Sequence, residues 1–415
     1  MSPRHPLSTG HRGNNSHFWG GLILLIVLAL SIRWAKAPIQ PFQSPQSSLP
    51  SIPTVITAQQ PQIVQPPLIS YATPIPRVED RNLVAIIQTE KPPVVSPVQY
   101  TQAATFPRTI PSYWKFVSAT PPVNALLLGP DGIVWGATER GLVKIAGGQI
   151  TFLSKANGTF PAENATSLIH DGRALWVGTF EGLYRSFDGF SFQKFAKIDG
   201  LANDMIWSLA FDGLILWAGT QGGVSFLTPG GRFESVDKKT SNGGLADIWI
   251  GAMQKIGKWI FCGNDDGLSI WDTTIIAANP SAWTTLDMFA SNLAHNWILA
   301  LTVWQNKIWA GTPKGLCRLD TPIEQLFTGT TPSWEVFNKN RGLPSDRVDA
   351  VAANESSIWA GTPEGLCRYK NGTFKTLGLS EGLLASDVRA LMTASDTIWV
   401  GTSAGIQALN LLAFE

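Results

Sequence analysis

"IWAGTPEGLCRY" (residues 358–369) differs at only two positions from "IWAGTPKGLCRL" (residues 308–319). The same core returns, more diverged, as "VWGATERGL" at Trp135, "LWVGTFEGL" at Trp176, "LWAGTQGGV" at Trp217, "IFCGNDDGL" at Phe261 and "IWVGTSAGI" at Trp399, which with Trp309 and Trp359 makes seven copies. Their aromatic residues are 41, 41, 44, 48, 50 and 40 residues apart. That interval holds four short strands and their turns, and no stretch between copies has helical periodicity. Each copy therefore reads as one four-stranded blade, and seven of them as an all-β, seven-bladed β-propeller.

One unit can be followed strand by strand. "GLPSD" opens it at Gly342, "RVDAVAA" is an inner strand, "IWAGT" a second, "CRYK" a third and "TFKTLGL" an outer fourth. Between the last two, "NG" (residues 371–372) supplies the positive-φ pair that a two-residue hairpin demands. Blades pack on both faces, which accounts for apolar runs such as "VNALLL" where a half-solvated strand would alternate. Trp135, Trp176, Trp217, Phe261, Trp309, Trp359 and Trp399 are expected to be wedges between blades. The last copy ends at "GIQALNLLAFE", one strand short, while "PSYWKFVSA" (residues 111–119) precedes the first inner strand and matches the fourth-strand text "PSWEVFNKN" (residues 332–340). Pairing the spare strand with the incomplete blade would close the ring and remove its exposed edge.

Composition agrees with this fold and excludes some functions. With 31 Lys and Arg against 30 Asp and Glu, the chain lacks the basic field that nucleic acid requires. Cys262, Cys317 and Cys367 have neither C-x-x-C spacing nor a nearby His, so they read as small buried apolar residues and no metal or cofactor is expected. "GLSEG" (residues 378–382) satisfies G-x-S-x-G, but it falls in the turn between two blades, where a nucleophile elbow has no strand and helix to join. His170 and His295 have no partner visible in sequence. No catalytic residue is assigned.

Ahead of the repeats the chain changes character twice. A polar tail (residues 1–17) leads to "FWGGLILLIVLALSIRWAK" (residues 18–36), uncharged as far as Ile32 and flanked by Trp19 and Trp34. This is expected to be a single-pass membrane anchor, or a signal peptide if it is cleaved at "AKA"; Pro38 after the cut and Arg33 before it both disfavour cleavage. Residues 38–111 hold 15 of the 28 prolines and read as an extended, solvated stalk. The propeller is assigned to residues 112–415.

The stretch "GLPSDRVDAVAANESSIWAGTPEGLCRYKNGTF" (residues 342–374) resembles the two-component regulator propeller repeat of bacteria, with its GLPS-type opening, hydrophobic inner strand and W-x-G-T-x-x-G-L. The resemblance implies an extracytoplasmic propeller of the kind that serves sensor proteins, in the periplasm or outside the cell. With one ring, an anchor before it and no kinase after it, the expectation is an accessory module that binds a protein or small ligand. The alternatives are a propeller enzyme of the lyase or lactonase kind, with a metal at the channel mouth, and a structural envelope protein.

Strand alternation puts the turn into each inner strand and the G-T-x-x-G-L turn on one face, around the central channel. The polar residues of those openings, Asn164, Asp204, Asp247, His295, Asn296, Asp346, Arg347 and Asp387, are the candidate binding residues of this upper face. The competing reading is that each caps a turn by bonding backbone N–H groups.

Overall fold

The computed structural model describes residues 110–414. The tail, the apolar segment and all but the last two residues of the stalk lie outside them. Among the described residues no helix is long and apolar enough to cross a membrane.

Those residues form seven four-stranded antiparallel sheets. Six are consecutive in sequence, beginning at Val123–Leu128, Ala165–His170, Ile206–Phe211, Ala252–Ile256, Ala300–Trp304 and Ala350–Ala353. The seventh joins Val388–Ala394, Thr397–Thr402 and Gly405–Asn410 to the N-terminal strand Trp114–Ser118, which pairs Trp114 with Leu409 and Ser118 with Ile406. Each inner strand lies against the next, and that of blade seven against that of blade one, so the ring is closed.

The motif can be explained atom by atom. The second glycine of G-T-x-x-G has φ between 123° and 143° in all seven blades, a conformation that L side chains avoid. The threonine closes the same turn: Thr362 Oγ1 donates to the Gly365 carbonyl at 2.8 Å and accepts from the Glu364 N–H at 3.1 Å. In blade four Asn264 replaces it and accepts from the Asp266 N–H. The first glycine lets two blades approach. A Cβ on Gly263, Gly361 or Gly401 would lie 2.7, 2.7 or 2.6 Å from Ile298, Val388 or Val123 of the following blade. Blade one has Ala137 here, and the residue that blade two offers to the same cluster is the small Ala165.

Seven apolar clusters correspond to the seven interfaces between blades. Each is built around one motif aromatic packed against the next blade: Trp176 against Leu201, Ile206 and Phe233, and Trp309 against Val348, Ile358 and Cys367. Trp135, Trp176, Trp217, Phe261, Trp309 and Trp359 are buried as the wedge reading requires. Trp399 packs against blade one and is half-buried. Directly across the sheet from several wedges lies a cation, with Arg185, Arg318 and Arg368 over Trp176, Trp309 and Trp359 at 5.3, 5.6 and 5.8 Å. The three cysteines are buried and free, and burial pushes the Cys317 and Cys367 thiols up to about 11.

Two wedges are also held by their indole N–H. Trp176 Nε1 donates to Asp171 at 2.7 Å and Trp217 Nε1 to Asp212 at 3.4 Å. Burial alone would raise the Asp171 carboxyl. The Trp176 N–H, the backbone N–H groups of Ala174 and Arg173, and nearby His170 outweigh it and hold it below its ordinary 3.8. Such a depressed carboxylate stabilises the fold fully above the unfolded value and less as pH falls through the folded one. Asp171→Ala is expected to lower the unfolding free energy at pH 7 by about 1–3 kcal/mol. The gap from wild type should narrow at pH 3; a gap that stays constant in denaturant titrations at both pH values would contradict this account.

Candidate functional site

Where each inner strand begins, one apolar residue is fully buried against the preceding blade: Val123, Ala165, Ile206, Ile250, Ile298, Val348 and Val388 are all 0% exposed. The two residues beside it point the other way, because side chains alternate along a strand. Those after it form a ring of seven: Asn124, Thr166, Trp207, Gly251, Leu299, Asp349 and Arg389. In blades one, two, three and seven the ring residue is the extra one of a β-bulge, unpaired in the register with the second strand.

Six of these seven line a cavity of about 560 Å³, joined by Asn164, Arg347 and Asp387 from the position before the buried residue and by Glu139 and Phe180 from the G-T-x-x-G turns. Six blades contribute, which places the cavity on the ring axis, at the channel mouth. Its lining is divided. From blades two to five come Phe180, Trp207 and Leu299, and the aromatic wall continues as Phe180–Trp207–Trp249, with centroids 4.9 and 5.3 Å apart. Trp297, 41% exposed, lies under the Arg347 guanidinium at 5.8 Å. From blades six, seven and one come the charges. Arg347 Nε bonds Asp349 Oδ1 at 2.7 Å, and Arg389 Nη2 bonds Asn124 Oδ1 at 3.0 Å and Glu139 Oε1 at 3.2 Å. Burial raises the Asp349 carboxyl and neighbouring Asp387 adds to the rise, against the opposing Arg347 and Arg389.

Of the eight residues singled out from sequence, Asn164, Arg347 and Asp387 line this cavity. The other five make turn-capping bonds. Asp204, Asn296 and Asp346 accept the backbone N–H groups of Lys197, Met288 and Lys339, seven or eight residues upstream. Asp247 and His295 accept from the N–H two residues on, Trp249 at 2.8 Å and Trp297 at 2.9 Å. Burial, and then Lys314, lower the pKa of His295. Sequence reasoning missed Asn124, Thr166, Trp207, Leu299, Asp349 and Arg389 as site residues, and Glu139 and Phe180 of the G-T-x-x-G turns with them. Among the described residues, no group of three or more His, Cys, Asp or Glu is placed to share a metal ion. "GLSEG" is a turn between blades, in which the Glu381 carboxylate accepts the Gly378 N–H at 2.8 Å.

No family profile matches the sequence, and no curated protein is similar to it. Solved structures with the same fold are numerous. The extracellular domain of a hybrid two-component system protein of B. thetaiotaomicron superposes with a TM-score of 0.59 at 18% identity, over 72% of this chain and 42% of that one. PorZ, a surface component of the type-IX secretion system of Porphyromonas gingivalis, gives 0.55 at 15%, over 71% and 48%. A streptogramin B lyase gives 0.55 at 15%, over 72% and 97%. The chain thus spans less than half the length of the first two, and at these identities the likeness shows the fold alone.

Proposed function

We propose that this chain is a non-catalytic binding module of the two-component regulator propeller kind, displayed outside the cytoplasm from its N-terminal segment, which engages a protein or small ligand at the channel mouth. The observation that carries this reading is the divided cavity: an aromatic wall from one arc of blades faces paired charges from the other. Its size falls within the roughly 300–1,000 Å³ common for ligand sites, and a few placed polar groups beside apolar surface are the usual lining of such sites. The motif holds its aromatic, threonine and glycine positions in nearly every blade while the residues flanking the buried anchor vary, so a constant scaffold presents a variable centre. Two of the neighbouring folds belong to proteins described as extracellular or surface components, which supports display outside the cell. His295 Nδ1 accepts the Trp297 N–H, which supports a turn-capping role for this side chain.

A photo-cross-linking residue at Trp249, in the full chain in its native cells, should yield a discrete adduct that is lost when Trp207→Ala is added. The same probe at Glu355, beside a separate polar groove between blades six and seven, should not yield it. Equal adducts from both positions would count against the channel mouth.

A further inference from the structure

The cavity has a charge left over. Its lining carries three carboxylates, Glu139, Asp349 and Asp387, against two guanidiniums, Arg347 and Arg389, a balance of −1. Two of the carboxylates are matched, Asp349 by Arg347 and Glu139 by Arg389. Asp387 instead accepts from Ser403, from its hydroxyl at 2.6 Å and its N–H at 3.3 Å, and no cation pairs with it among the described residues. Burial raises the Asp349 carboxyl, and the charge of Asp387 adds a smaller push in the same direction. Asp387 belongs to blade seven and Trp207 to blade three, so the unmatched charge and the aromatic wall stand on opposite sides of one cavity.

A cation placed beside Asp387 would neutralise the balance, and an apolar body reaching back from it would cover Phe180, Trp207 and Leu299. We propose that the channel mouth takes a monocationic amphiphile: an aromatic amine, its ring on the Phe180–Trp207–Trp249 wall and its ammonium beside Asp387. This deepens the binding reading above and rests on it. An anion of the same shape would meet two guanidiniums already committed to carboxylates, and would add to the negative surplus.

Three probes of one shape separate charge from shape: 2-phenylethylamine, 2-phenylethanol and 3-phenylpropionate, titrated into the full chain by calorimetry. The amine is expected to bind about tenfold more tightly than the alcohol, as one partly screened charge pair allows, and the carboxylate more weakly than either. Asp387→Asn keeps an oxygen for Ser403 and should bring amine and alcohol to equal affinity, leaving the alcohol and the denaturation midpoint unchanged. Trp207→Ala should weaken both. An alcohol as tight as the amine, or a carboxylate tighter, would overturn the charge assignment and leave the cavity as a binding site. No saturable binding of any probe, alongside an intact Trp249 cross-link, would overturn the aromatic amine alone; loss of both would remove the binding reading as well.

Discussion

Removal of residues 111–119 is expected to open blade seven and loosen its packing on blade six, with a loss of at least about 5 kcal/mol in unfolding free energy. Trp114 alone is 6% exposed among Trp359, Leu377, Leu383 and Leu409, and losing a buried Trp costs about 3–5 kcal/mol. Its Nε1 also donates to the Glu381 carbonyl at 2.8 Å, and the Tyr113 carbonyl accepts the Asn410 N–H at 2.8 Å. The ladder with Gly405–Asn410 would go too, leaving backbone groups of the last blade unpaired at a fresh edge. Gly405 shows how closely the two strands are fitted, since a Cβ there would lie 2.1 Å from the Ser118 carbonyl oxygen. A urea titration of the shortened chain should show a much lower midpoint, and a synthetic peptide of residues 110–120 should restore part of it in trans. A midpoint equal to that of the intact chain would mean that the strand is dispensable and that the ring closes by some other contact.

The closing strand was legible in the sequence because absence and surplus matched: one blade lacked a strand, and one segment resembled a fourth strand with no blade of its own. Blade number was legible for a related reason. The motif residues are fixed by backbone geometry, as positive φ at Gly365 and the close approach at Gly361 show, so they repeat wherever the geometry does. The site lacks that property. Its residues share a position and differ in type: Asn124, Thr166, Trp207, Leu299, Asp349 and Arg389 have no common chemistry, and a search for polar residues near the inner-strand openings passes over most of them.

That search found the capping residues instead. Asp and Asn are the residues that bond a backbone N–H two residues on, so Asp247 is there for the turn. The signal that locates the site is alternation. Once Val348 is recognised as the apolar anchor of its strand, Arg347 and Asp349 must face away from the blade it packs against, into the channel. Applied to every copy, that rule finds Pro122, Asn164, Met205, Trp249, Trp297, Arg347 and Asp387 on one side of the anchor and the ring of seven on the other. The half-burial of Trp399 was not legible by any such rule, because its motif text matches that of fully buried wedges.

The wedges themselves supply the second large effect. Trp359→Ala is expected to lower the unfolding free energy by about 3–5 kcal/mol, since the side chain is 0% exposed and its removal leaves a void between blades six and seven. Trp399→Ala, at a half-buried site, should cost less than half as much by the same transfer argument. Phe replacements separate packing from hydrogen bonding. Trp359 Nε1 is buried without a partner, so Trp359→Phe loses no bond and should recover most of the stability. Trp176 Nε1 donates to Asp171, so Trp176→Phe removes a donor from a carboxylate and should cost about 1–2 kcal/mol more than Trp359→Phe. Chemical denaturation of the four variants gives the order directly. If Trp359→Phe were as damaging as Trp359→Ala, the indole would be serving something other than the interface between blades, and the repeat could no longer be read as a packing unit.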